Sequence, residues 1–141
     1  NLYLIETKGD LLLSHGYTNV ANKFYRLILK KNENNYYVKK RVFEIEFQKI
    51  KDNNSIIPAN FLNSFSELIL IFYTDGLLQK KFKELFLIEN NNEWLNFVEA
   101  NLYLTDNLED KALKLLNNII FESEDKKLIY FAKQVIKDAK L

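Results

Sequence analysis

The sequence predicts an all-α fold, a stack of antiparallel helical hairpins. Three observations point there. Apolar residues recur at helical spacing along nearly the whole chain. Only three Gly and one Pro interrupt it, and no strand-like alternation persists. Short polar stretches break the pattern at intervals of one helix length.

Eight helices are predicted, at about residues 2–15, 18–31, 36–51, 58–74, 77–89, 92–106, 108–122 and 125–140. The first ends at Gly16. The second carries the stripe Val20, Ala21, Phe24, Tyr25 and Ile28 and stops in the KNENN stretch. The third carries Val38, Val42 and Ile45, flanked by Phe43, Phe47 and Ile50. The fourth follows the breaker at 52–55, with Pro58 in its first turn, where a missing N–H costs nothing. Its run LILIFY (68–73) is apolar all round, which predicts burial from several sides; a buried strand is the other reading, but no partner strand is found. The fifth, after Gly76, shows Leu78, Phe82, Leu85 and Phe86. The seventh shows Ala112, Leu115, Leu116 and Ile119. The last shows Leu128, Phe131, Ala132, Val135 and Ile136, with acids at its start (Glu124, Asp125) and lysines at its end (Lys137, Lys140) that complement the helix dipole.

Two segments match without gaps. Residues 3–31 align with residues 94–122: Leu4 falls on Leu95, Leu11 on Leu102, Ser14 on Thr105, Ala21 on Ala112 and Ile28 on Ile119. Gly9 and Ala100 are small residues where the second helix of a hairpin crosses closely. Gly16 and Asn107 sit at the turn, where left-handed backbone is needed. Ala21 and Ala112 are the reciprocal small positions, and Tyr25 and Leu116 the large ones that seal each hairpin.

In these residues the chain resembles the tetratricopeptide repeat family, in a degenerate form most similar to that of bacterial envelope proteins. The family's usual Pro at the end of each unit is absent, and the copies are not separated by a multiple of its 34-residue period. The resemblance implies one domain over residues 1–141, a right-handed solenoid: a hairpin (2–31), an irregular three-helix middle (36–90), a second hairpin (92–122) and a capping helix (125–140). The middle reads either as a degenerate hairpin over 61–89 or as a hairpin over 36–73 that leaves 77–89 alone.

The resemblance also implies a binding role. First helices of successive hairpins line a concave groove in the family. Its candidate residues here are Tyr3, Glu6, Asp10, Leu13 and Ser14 from the first hairpin, and Trp94, Phe97, Asn101, Leu104 and Thr105 from the later one. Trp94, Phe97 and Leu104 are either anchors for a partner segment or covered by a neighbouring helix. Glu6 and Asp10 would repel a C-terminal carboxylate, so the carboxylate-gripping subtype of the family is not expected. The expected partner is another protein docked by apolar contacts; a homo-oligomer and a helical-repeat nucleic-acid binder are the alternatives.

Composition narrows these. Twenty basic side chains face nineteen acidic ones, and only Arg26 and Arg41 are arginine, which disfavours nucleic acid. Lys80, Lys81 and Lys83 read as a solvated helix face. With no Cys, cysteine-ligated metal and thiol catalysis are excluded. His15, the one histidine, precedes Gly16 at a helix end and reads as a cap. Asp106, Glu109 and Asp110 lack EF-hand spacing and suit a helix N-terminus. No P-loop, HExxH or nucleophile elbow occurs, so no catalytic, cofactor or metal residues are assigned and no enzyme is expected. No stretch is long enough to insert in a bilayer. The chain starts at Asn1 and holds no Met, which suggests a piece of a longer protein whose signal or anchor lies elsewhere; a periplasmic-side envelope location is the expectation.

Overall fold

The computed structural model describes residues 1–141: eight α-helices and no strand. Helix ends fall within a few residues of the expected ones. By internal contacts the chain divides into two compact units, Asn1–Asn54 and Ser55–Leu141.

The first unit holds α1 (Leu2–Ser14), α2 (Thr18–Lys31) and α3 (Tyr36–Asn53). The Asn1 side chain caps α1 by accepting from the Tyr3 N–H at 2.9 Å. At the other end Gly16 takes φ +84°, and the N–H groups of Gly16 and Tyr17 reach back to Leu13 O (3.0 Å) and Leu12 O (2.9 Å). This is a Schellman turn, which satisfies the last carbonyls and sends the chain back antiparallel. α2 then packs on α1 and α3 on α2. Ala21, Tyr25 and Ile28 of α2 meet Val38, Val42 and Ile45 of α3, with Ile5, Leu12 and Leu13 of α1 closing the cluster. Burying such side chains contributes roughly 1.5–3 kcal/mol each.

The second unit holds α4 (Ala59–Ile71), α5 (Gly76–Ile88), α6 (Glu93–Thr105), α7 (Glu109–Glu122) and α8 (Lys126–Asp138). Its centre is α6, which packs against the other four. α6 buries Trp94, Leu95, Phe97, Val98, Ala100, Asn101 and Leu102, the pattern of a helix enclosed on most sides. The hairpin α6–α7 repeats α1–α2 residue for residue. Both its helices begin and end 91 positions later, Leu2 to Glu93 and Lys31 to Glu122. Its turn is again a Schellman turn, with Asn107 at φ +58° and Leu108 N–H on Tyr103 O at 2.9 Å.

Three expectations are corrected. The run 68–73 is not enclosed: α4 ends at Ile71, Leu68 and Ile69 are buried, and Leu70, Ile71 and Tyr73 are exposed. One face of α4 meets α6, so the other stays wet whatever its residues. Pro58 stands just before the first turn, as the N-cap with extended backbone. Of the middle helices, α3 packs on α2, whereas α4 packs chiefly on α6 and makes little direct contact with α5.

Candidate binding groove

In the second unit α4, α6 and α8 enclose an open cavity of about 380 Å³. Helical spacing explains its walls. α4 contributes Asn63, Ser66, Glu67 and Leu70, one face at i, i+3, i+4 and i+7. α8 contributes Phe131, Gln134, Val135 and Asp138 at the same spacing, and α6 forms the floor with Phe97 and Asn101, one turn apart.

The aromatic part of the lining is tightly held. The Phe131 ring centroid lies 6.0 Å from that of Trp94 and 6.5 Å from that of Phe97. Trp94 and Phe97 meet edge to face at 6.0 Å. The Trp94 indole N–H donates to Asp125 Oδ2 at 3.0 Å. Asp125 also caps α8, its Oδ1 accepting from the Lys127 and Leu128 N–H groups at 3.1 Å. These bonds, the Leu128 N–H first, hold the Asp125 carboxyl below the usual carboxylate range, against a partial desolvation that opposes them.

Two polar groups in the wall have no partner within the protein. Asn101, fully buried, spends its Nδ2 on Phe97 O at 3.0 Å, and its Oδ1 is left without a donor. Ser66, 3 % exposed, leaves its Oγ unpaired as well. A buried unsatisfied polar group costs about 1–3 kcal/mol, so two such atoms on adjacent helices are a local cost to the fold.

The residues expected to line a groove thus divide. Phe97 and Asn101 do line one. Trp94 does not: it is 6 % exposed, covered by Phe131 and used to brace α6 against the start of α8. Leu104 and Thr105 are half-buried and outside the cavity. In the first unit Tyr3 is 70 % exposed, Glu6 half-buried, and Asp10 and Ser14 exposed. Asp10 Oδ1 accepts from Tyr25 O–H at 2.5 Å and lies 3.7 Å from Arg41 Nε. Burial first, then this bond, raises the Tyr25 hydroxyl pKa. Leu13 borders a separate hollow with Thr18, Ile45 and Gln48. Nothing in the sequence flagged Ser66, Gln134 or Asp138. Their shared spacing was visible, but which helices face each other was not.

No three or more His, Asp or Glu side chains gather as a metal site would require. No helix is long and apolar enough to cross a membrane. His15 Nδ1 lies 2.9 Å from Leu11 O, a local contact at the end of α1. Compared with known proteins, the chain matches no family model, no curated protein and no solved structure.

Proposed function

We propose that this chain is a protein-interaction module that receives a segment of a partner protein in the α4–α6–α8 groove. The observation that carries this reading is the open cavity itself, where Leu70, Phe97, Phe131 and Val135 stand beside polar residues such as Asn63 and Gln134. Binding sites combine an apolar surface with a few placed polar groups in this way. In the tetratricopeptide-like reading, α6 and α7 form one hairpin of a right-handed stack, α8 is the helix that caps it, and α4 flanks α6 on the side of the hollow. In that family the first helix of a hairpin, here α6, faces the concave side. The mechanism is passive: the hairpins hold the groove, and binding stabilises or localises the partner. The near-balanced charge and scarcity of arginine favour a protein over a nucleic acid.

The same reading places the module in an envelope-associated bacterial complex. That assignment rests on the Asn-, Lys- and Ile-rich composition and the resemblance, and fractionation of the source cell tests it.

Gln134→Trp tests the groove itself, because an indole there plugs the cavity from a half-buried rim position. A crosslinking pull-down with the wild-type chain and this variant as paired baits is expected to lose its specific partner in the variant. Equal capture by both would move the binding surface elsewhere. Capture of nothing except the chain itself would favour a homo-oligomer.

A further inference from the structure

The first hairpin carries apolar surface outside the groove. Leu4 and Leu11 share one face of α1, and Val20 and Leu27 share one face of α2, each pair at i, i+7. All four are exposed. Neither face is the one turned to α3, which Asp10 beside Arg41 and Arg26 on Glu46 mark out. The internal repeat shows how such a face is satisfied. Leu95 and Leu102 are the copies of Leu4 and Leu11, and they are 1 % and 9 % exposed where the originals are 57 % and 60 % exposed. α7 packs on α6 as α2 packs on α1, so the difference comes from α4 and α5, which pack on α6 and have no counterpart on α1.

We infer that this face docks an amphipathic helix of a partner protein, acidic beside its apolar stripe, which covers α1 and α2 as α4 and α5 cover α6. Charge selects the partner. Lys8 stands one turn from both Leu4 and Leu11, Lys23 one turn from both Val20 and Leu27, and Lys31 one turn beyond Leu27; all three are exposed. α2 holds no carboxylate, and those of α1, Glu6 and Asp10, lie on its other side. The copies carry the opposite sign, Glu99 for Lys8 and Glu122 for Lys31, and α5, which packs on α6, is rich in lysine at Lys80, Lys81 and Lys83. A hairpin with the signs reversed calls for an acidic cover. Val20 and Leu27 replace Lys111 and Asn118 of the copy, so the apolar seat extends onto the second helix. An anionic membrane would also be drawn to the lysines, but burial of the copied leucines by helices favours a helix.

The test is a phage library of single helices selected on the whole chain, with Leu fixed at helical spacing and the other positions drawn from Glu, Lys, Gln and Ala. Winners are synthesised and measured by fluorescence anisotropy. They are expected to be acidic, and to lose about tenfold or more in affinity on Leu4→Ser/Leu11→Ser, a pair exposed enough to leave the fold intact. Lys8→Glu/Lys23→Glu is expected to weaken them several-fold and, in a repeated selection, to bring up lysine-rich winners instead. Gln134→Trp is expected to leave their binding unchanged, which separates this face from the groove. No winners, winners of neutral or basic composition, or winners indifferent to the leucine pair would overturn the inference. So would a chain that dimerises through Leu4 and Leu11 by light scattering, or one that binds phosphatidylserine vesicles through them and no helix, since a second copy or a membrane would then be the occupant.

Discussion

The ring of Tyr25 in α2 lies directly over Gly9 in α1: a Cβ added at Gly9 would come 2.8 Å from Tyr25 Cε1. Tyr25 is fully buried and its hydroxyl is tied to Asp10, so the ring has nowhere to swing. In the second hairpin Ala100 and Leu116 hold the equivalent positions, a larger residue on one helix offset by a smaller one on the other. Gly9→Ala is therefore expected to destabilise the first unit. Overpacking costs about 1–3 kcal/mol, and the better helix propensity of Ala returns at most about 1 kcal/mol. The double variant Gly9→Ala/Tyr25→Leu copies the second hairpin and should recover part of the loss. Urea unfolding of the four-member cycle checks this, with a coupling above about 0.5 kcal/mol expected.

The turns offer a cleaner comparison. Gly16 at φ +84° and Asn107 at φ +58° do the same job, and a Cβ at Gly16 would touch nothing within 4 Å. Only backbone strain then separates substitutions there. Gly16→Ala is expected to cost about 1–2 kcal/mol, with Gly16→Asn costing less, because Asn tolerates left-handed backbone. Asn107→Gly should be neutral or slightly stabilising. Midpoints of denaturant unfolding rank all three, and an Ala as good as Asn at position 16 would contradict the argument.

These hairpins were legible in the sequence because their information is local or self-repeating. Gly9, Gly16 and Ala21 recur as Ala100, Asn107 and Ala112 at one offset, and each has a role that a single turn or crossing imposes. The helix ends were legible from their polar breakers, and the structure adds that Asn1, Asn35, Asp75, Asn92 and Asp125 each cap a helix with their own side chain. The groove was legible only in part. Phe97 and Asn101 follow from the repeat, but Trp94 looks no different from them until Phe131, 37 positions away, is seen to cover it. Ser66 carries no local mark at all: a serine inside a helix reads as ordinary until the packing of α4 on α6 buries it.

Trp94 consequently behaves as a structural residue. Trp94→Ala is expected to cost about 3–5 kcal/mol, the range for a buried aromatic, and to loosen α8 from α6. Asp125→Ala removes the cap of α8 and the acceptor of the Trp94 indole together. The cap alone is worth about 0.5–2 kcal/mol. The pH dependence has a definite sign. The folded chain holds the Asp125 carboxyl below its unfolded value, so its contribution is fully present above about pH 4 and is lost as pH falls through the depressed value. Asp125→Asn keeps a capping oxygen and cannot titrate. Its stability relative to wild type should therefore improve as the solution is acidified, which urea midpoints at neutral and acid pH measure directly. A gap that stays constant would assign the acid sensitivity to other carboxylates.

The two unpaired atoms predict a gain in stability when they are removed. In the free protein Asn101 Oδ1 and Ser66 Oγ are buried without partners, so replacing either by an apolar residue of fitting size removes a cost that no contact offsets. Asn101→Leu gives up one bond, from Nδ2 to Phe97 O, but that carbonyl stands within α6, where the helix supplies its own donor. Asn101→Leu and Ser66→Ala are each expected to stabilise the second unit, by about 1 kcal/mol. Replacing a side chain that the packing needs lowers stability, whereas replacing one whose polar atom is only a cost raises it. Calorimetric unfolding of the two variants distinguishes the cases. A clear destabilisation by both would mean that these side chains serve the packing of α4 on α6.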